Sequence, residues 1–422
     1  MKEQQKPLQL VYFAGEGIFS PVLDSQVLMP LRLLGRHAPH IRRHILFLTS
    51  HRYRKQETIA PRQEQIRRML EGVQIQFRYR PVLGLPVQAP IWAHLLRRAL
   101  AAWRLPSNEP VVVHCRGTST GAAAARLKRR DGRLRLLVDV RGDVSDEIRR
   151  NKRLRWYGWM LPKNYPRTAL RAADGLNTVT ARLAARLDEL GILPGEVPRI
   201  VVGCCADTQR FYFDPAERAR RRRELGLEDK FVVCYCGALQ YWQKPDALAE
   251  AFAAIRHEMP DAHMLVISRE PEALYTQLAQ RGVPEEAVTA RSVGHDEVAP
   301  HMMAADVALL LRDDIPTNQV ASPVKFAEYL RCGLPVILTP YIGDFGVLIQ
   351  EEGVGEAVTL PLDRTQLTAG TRRLRQRLEQ EGESFRQRCS EVAAARLSWD
   401  GRLPQLVDLY HKLAAAEQGG GS

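Results

Sequence analysis

The chain has no apolar run near the roughly 20 residues that a membrane-spanning helix requires, which excludes an integral helical membrane protein. It has no cysteine framework either. Cys115, Cys204, Cys205, Cys234, Cys236, Cys332 and Cys389 are odd in number and match no zinc or disulfide spacing. They read as buried thiols of a reducing cytoplasm, and no metal site is expected. No apolar signal core follows Met-Lys-Glu-Gln-Gln-Lys, so the expected location is cytoplasmic. A full dinucleotide fingerprint, a zinc finger, an RNA-binding signature and short-period repeats are all missing. Neither a nicotinamide cofactor nor a nucleic-acid partner is expected.

Acidic residues are scarce in the first half. Residues 1–200 hold 36 Lys and Arg against 16 Asp and Glu, a net charge of +20, whereas residues 201–422 hold 25 against 32, a net of −7. Such a half-chain attracts polyanions or anionic surfaces. Arg126-Leu-Lys128-Arg129-Arg130 and Arg149-Arg150-Asn-Lys152-Arg153-Leu-Arg155 are its densest clusters. Two readings stand side by side. One is a solvated arginine-rich surface. The other is a peripheral contact with the anionic inner face of the cytoplasmic membrane, where each basic residue contributes roughly 1 kcal/mol. The aromatic cluster Trp156, Tyr157, Trp159 and Met160 beside the second run fits bilayer docking or ordinary packing.

At 422 residues the chain exceeds one ordinary core, so two or three domains are expected. Short aliphatic runs alternate with longer amphipathic ones, the pattern of a parallel sheet covered by helices on both faces. The first series of strands reads as Leu8–Ala14, His44–Thr49, Val73–Phe77, Pro110–His114, Arg135–Asp139, Gly175–Val179 and Arg199–Val202. Between them lie helical segments such as Asp24–Leu34, Ala60–Leu70, Ile91–Trp103 and Gly121–Arg130. A second series comprises Phe231–Cys236, Ala262–Ile267, Ala287–Ala290, Val307–Leu311, Val336–Leu338 and Glu356–Val358, with helices at Pro215–Leu225, Pro245–Met259, Pro271–Gln280, Pro323–Arg331 and Arg364–Glu379. The boundary is expected near residues 203–212, and an amphipathic helix closes the chain from Ser398. Residues 417–422 read as an appended linker.

The most informative stretch is Ser322-Pro-Val-Lys-Phe-Ala-Glu-Tyr-Leu-Arg-Cys-Gly-Leu-Pro-Val-Ile-Leu-Thr-Pro340. Ser322 suits an N-cap and Pro323 the first helical position. Phe326, Tyr329 and Leu330 form an inward face. Gly333 and Pro335 stop the helix, and Val336–Leu338 reads as a strand buried on both sides. The helix start, with the backbone of Ser322, Pro323 and Val324, offers free N–H groups and a positive dipole end to a phosphate. Lys325 in the first turn opposes that dipole, which is easier to understand if an anion binds there. Glu328 one turn on can accept hydrogen bonds from a ribose diol. An ordinary βα unit would show the same punctuation.

These residues closely resemble the donor-binding segment of family 4 glycosyltransferases, and the resemblance extends over nearly the whole chain. Ile200-Val-Val-Gly-Cys-Cys-Ala-Asp-Thr-Gln-Arg-Phe211 is similar to the entry into the family's second domain. Val233-Cys-Tyr-Cys-Gly-Ala-Leu-Gln-Tyr-Trp-Gln-Lys-Pro-Asp-Ala-Leu248 is similar to its first glycine loop there. Val138-Asp-Val-Arg-Gly-Asp-Val-Ser-Asp-Glu147 resembles a segment of its polysaccharide-making branches. The implied fold is GT-B, an α/β architecture of two Rossmann-like doubly wound domains facing across a cleft. The expected division is an acceptor-binding domain at 1–203, a nucleotide-sugar-binding domain at 204–396, and a helix at 397–416 returning to the first domain.

The resemblance implies a metal-independent, retaining transfer from a nucleotide-diphosphate sugar, with no further cofactor. Glu328 would hold the donor ribose. Lys325, and Lys244 after Gly237, would meet the charge on the leaving diphosphate. Gly15 and Gly17 would let a backbone approach that diphosphate, His295 would approach the nucleobase, and His114 would contact the donor sugar. Arg116, Asp139, Arg141 and Asp143 would face the acceptor, where Arg141 could bind a phosphate and Asp143 or Glu147 could touch acceptor hydroxyls. The chain departs from the family at four places. Ala238 and Gln243 stand where basic residues are common, Val320 replaces an earlier Glu, and Arg116 replaces a second His. The expected function is synthesis of cell-surface polysaccharide by transfer to a glycan or lipid-linked acceptor. The rivals are another GT-B enzyme, such as a nucleotide-sugar epimerase or a phosphorylase, and a non-catalytic binder of anionic surfaces or nucleic acid.

Overall fold

The structure is a computed structural model that describes residues 7–20, 22–80, 88–142, 165–191, 193, 195–239 and 243–416. Asp143, Glu147, the basic run 149–155 and the aromatic cluster 156–160 lie outside the described residues. The chain forms two compact units, one of Met1–Gly203 with Arg402–Ser422 and one of Cys204–Gly401.

In the first unit, β1 (Leu8–Ala14), β2 (Ile41–Ser50), β3 (Gln74–Arg80), β4 (Val111–Arg116), β5 (Leu134–Val140), β6 (Gly175–Thr178) and β7 (Arg199–Val201) form a parallel sheet. Its order is β3-β2-β1-β4-β5-β6-β7. Every residue of β1 is buried, as a central strand covered on both faces requires. Alternate side chains feed two cores. Val11 and Phe13 pack with Trp92 and Leu96 on one face, and Tyr12 and Ala14 with Leu23, Leu31 and Ile66 on the other. The closing helix, Trp399–Ala415, buries Tyr410 and Leu413. Leu413 lies so close to Gly175 that a Cβ there would stand 3.0 Å from it.

The second unit repeats the plan with β8 (Phe231–Cys236), β9 (Ala262–Ile267), β10 (Val288–Arg291), β11 (Val307–Leu310), β12 (Val336–Leu338) and β13 (Gly355–Ala357), ordered β10-β9-β8-β11-β12-β13. Asp306, just before β11, anchors the outer helices Pro215–Leu225 and Glu383–Arg396 to the sheet. It accepts from Arg218 and Arg386 at 2.6 Å and from Arg222 at 3.2 Å. In both units the strand order reverses beside the first strand, at β1/β4 and at β8/β11. The carboxyl ends of those strands flank the crevice where doubly wound sheets take ligands.

Several local expectations need correction. Asp24–Leu34 is not one α-helix: a π-helical turn at Asp24–Leu28 precedes the α-helix Met29–His37. Pro30 lacks the N–H that a continuous ladder would use. Ser322 is not the N-cap. Pro323, with extended dihedrals, holds that position, and the helix runs Val324–Arg331. The Ser322 hydroxyl instead accepts from the Cys204 N–H at 3.0 Å. The helix stop is as expected. Gly333 has φ +77°, Leu334 N–H bonds to Tyr329 O, and Gly333 N–H bonds to Leu330 O, a Schellman closure. Phe326, Tyr329 and Leu330 are fully buried. The helices Tyr165–Arg171, Ala181–Glu189, Phe345–Glu352 and Glu383–Arg396 were not anticipated. Cys204 and Cys236 are half-buried, and the other five cysteines are buried free thiols.

Candidate functional site

The second unit's switch point gathers most of the expected donor-binding residues. β8 ends at Cys236, and Gly237 follows with φ +125°. A Cβ on Gly237 would stand 2.4 Å from Lys325 Nζ, so glycine serves both the backbone conformation and the approach of the lysine. Lys325 lies over the Tyr235 ring, 4.6 Å from its centroid. It donates to the Tyr235 hydroxyl at 3.1 Å, and that hydroxyl donates to Ala238 O at 2.7 Å. One turn on, Tyr329 accepts from Cys236 N–H at 2.8 Å and donates to Cys236 O at 3.3 Å. The helix Val324–Arg331 is thereby pinned to the end of β8, with its first N–H groups lacking intrahelical partners.

Burial governs the charges here. It lowers Lys325 to about 8, against the attraction of Cys236 and Glu328, and Arg312 lowers it further. Burial raises Glu328 to about 7, although Lys325 and Arg210 pull it down. Among the described residues, no hydrogen bond or ion pair engages the Glu328 carboxyl. Among the described residues, no carboxylate lies within salt-bridge distance of Lys325 either. The turn thus presents one cation and one carboxyl, both available to a ligand.

Lys244 is placed differently. It is the N-cap of Pro245–Glu258 at φ +52°, with Nζ 3.5 Å from Asp246 and 3.4 Å from Asp313. Burial opposes its charge, but the two carboxylates outweigh it and raise its pKa. His295 opens a short turn and stands 2.6 Å from Arg210, which also pairs with Asp296 at 3.1 Å. Arg312, two residues beyond β11, was missed by sequence reasoning. Its backbone N–H donates to Thr339 Oγ1 at 3.1 Å, and its Nε is buried without a hydrogen-bond partner. Its position at the end of an apolar strand was the available signal.

The first unit's switch point holds the other expected residues. A Cβ on Gly15 would meet Trp92 at 2.9 Å, and Gly17 has φ +85°. His114 is 3% exposed. Its Nδ1 lies 2.7 Å from the Tyr410 hydroxyl and its Nε2 3.4 Å from Asp139. Burial lowers its pKa, so the ring is neutral and faces the interior. Arg116 donates to Glu16 at 2.8 Å and lies 3.6 Å from Asp139. Arg141 is 3.4 Å from Asp139, which accepts from Asn177 at 2.7 Å. Burial alone would raise the Asp139 carboxyl, but Arg141, His114 and Arg116 hold it well below the usual carboxylate range. Glu16, Asn177 and Tyr410 are members of this network that the sequence did not single out. Among the described residues, no group of three metal-capable side chains occurs, and no helix is long and apolar enough to cross a membrane.

Known proteins match the chain at two levels. Residues 230–377 match the protein family described as Glycosyl transferases group 1. The GDP-mannose-dependent alpha-(1-6)-phosphatidylinositol monomannoside mannosyltransferase of Mycolicibacterium smegmatis is 32% identical over 135 residues, 31% of this chain and 35% of that protein. D-inositol 3-phosphate glycosyltransferase 1 of Catenulispora acidiphila is 28% identical over 178 residues, 39% of this chain and 41% of that protein. The chain spans from about a third to about half the length of the curated relatives it matches. Among solved structures, a glycosyltransferase from Rickettsia africae superposes with a TM-score of 0.71 at 10% identity, covering 97% of this chain and 99% of that one. Anabaena HepE in complex with UDP gives 0.68 at 14% identity, covering 95% and 99%. The chain has the two-domain Rossmann-like GT-B fold, and residues 230–377 carry its match to glycosyl transferases group 1.

Proposed function

We propose that the protein is a retaining glycosyltransferase of the family 4 kind, which takes a sugar from a nucleotide-diphosphate donor and places it on a glycan or lipid-linked acceptor. The observation that carries this reading is the helical turn at the second unit's switch point. There Lys325 and Glu328 stand three residues apart and, among the described residues, no opposite charge is in salt-bridge contact with either. An ammonium ion beside free N–H groups suits a diphosphate, and a carboxyl one turn on suits a ribose diol. The match of residues 230–377 to glycosyl transferases supports the same reading. Negative charge grows on the diphosphate as the glycosidic bond breaks, and a fixed cation stabilises it without a metal ion. With its pKa near 8, Lys325 is protonated at neutral pH.

The acceptor would bind the first unit near Arg116, Asp139, Arg141 and Asp143. The protein would work in the cytoplasm at the inner membrane face, its basic surface near Arg126–Arg130 touching anionic lipid, in the assembly of cell-surface polysaccharide. Thermal stabilisation by a panel of UDP-, GDP- and ADP-sugars tests the donor class, since a saturating ligand raises stability by mass action. Glu328→Ala should abolish the response while leaving the fold intact. An unchanged response in that variant would refute the site. Product mass separates transfer from epimerisation, which makes no larger glycan.

A further inference from the structure

We propose that Arg312 is the second cation of the diphosphate clamp, paired with Lys325 in place of a charge that this chain's glycine loop does not supply. Residues 238–243, Ala-Leu-Gln-Tyr-Trp-Gln, contain no cation. The next residue, Lys244, is gripped by Asp246 and Asp313. Arg312 follows β11, the strand beside β8 across the switch point, and its backbone is fixed by Thr339 at the end of β12. Arg312 is near enough to the pair for its charge to act on the Tyr235 hydroxyl and on Lys325 alike.

Other buried and half-buried arginines show why Arg312, itself half-buried, stands out. Arg116 has Glu16 and Asp139. Arg218, Arg222 and Arg386 share Asp306. Arg331 donates to Phe211 O and to Ser390. Among the described residues, no carboxylate lies within salt-bridge distance of Arg312, and its Nε is buried without a partner. A buried guanidinium N–H left without an acceptor is unfavourable. A diphosphate, with a fork-shaped pair of acceptors, would satisfy it. The two cations then divide the task. Lys325 supplies a point charge at the helix start, and Arg312 supplies a planar fork from the neighbouring strand end.

This inference rests on the nucleotide-donor reading, and the test separates the two. Calorimetric titration with the matched pairs UMP/UDP and GMP/GDP gives the affinity gained from the second phosphate. In the wild-type protein that gain should be at least about tenfold for one pair, and Arg312→Gln should reduce it to near unity while changing monophosphate affinity much less. A gain that survives in Arg312→Gln would overturn the assignment of Arg312 and leave the nucleotide reading standing. Failure of every nucleotide to bind wild-type protein would overturn both. Should Arg312→Gln not fold, the Arg312 Nε–H resonance, assigned by its loss in Arg312→Lys, decides the matter. It should shift when the diphosphate binds and stay put with the monophosphate, and an unmoved resonance in the diphosphate complex would overturn the proposal.

Discussion

Replacing Glu328 with glutamine is expected to stabilise the second unit at high pH while weakening nucleotide binding. Burial raises this carboxyl from 4.5 to about 7, with Asp207 adding to the effect and Lys325 and Arg210 opposing it. Between those two pH values the folded protein binds a proton that the unfolded chain has released. Stability therefore falls as pH rises through this window and levels off above about 7. At about 1.36 kcal/mol per pH unit, the displacement amounts to ~3 kcal/mol. Glutamine removes the ionisation and leaves only a pH-independent offset for its own buried amide. The stability gap between Glu328→Gln and wild type should thus grow by ~3 kcal/mol from pH 4.5 to pH 8, in favour of the variant. Native-state hydrogen exchange of the β8 and β12 amides measures this unit by itself, without assuming that the two units unfold together. A gap that stays constant across that range would refute the reasoning. A residue that opposes folding at working pH is what a ligand site retains for function.

Lys325→Ala should lower turnover by roughly 2–4 kcal/mol of barrier, more than it lowers donor affinity, whereas Lys244→Ala should change both little because Asp246 and Asp313 already neutralise it; steady-state kinetics and calorimetry compare them. Gly333→Ala should destabilise the second unit by about 1–3 kcal/mol, since φ is +77° and the new Cβ would sit 2.7 Å from Phe213; denaturant unfolding reads the loss. Asp306→Ala would leave Arg218, Arg222 and Arg386 without their carboxylate and should cost about 3–5 kcal/mol in the same assay.

The alternation of aliphatic and amphipathic runs was enough to place the described strands to within a few residues, most sharply the central ones, because strands covered on both faces are continuously apolar. Leu8–Ala14, Phe231–Cys236 and Val336–Leu338 were read with their observed ends. Capping was less legible. Ser322 is a better cap by residue type than Pro323, but its hydroxyl is drawn to Cys204, a partner 118 residues away. The site divided in the same manner. Lys325, Glu328 and Gly237 were readable because local rules single them out: a cation opposing a helix dipole, a carboxyl one turn on, a glycine ending a strand. His114 looked available because a strand end faces a crevice, and only the fold reveals that Tyr410, 296 positions along, holds its Nδ1. Arg312 was hidden for the opposite reason. Its neighbours Asp313 and Asp314 suggest a ready counter-charge, yet Asp313 pairs with Lys244 and Asp314 with Gln319.

The first unit is assembled from two pieces of chain, with the whole of the second unit encoded between them. During translation, β1 to β7 leave the ribosome long before the segment carrying Tyr410 and Leu413, which covers Gly175 and fills the bond to His114. The second unit is one uninterrupted stretch and can complete its sheet as soon as it emerges. The nascent protein therefore finishes its parts in reverse of their reading order, and the half synthesised first waits, partly uncovered, for the last helix.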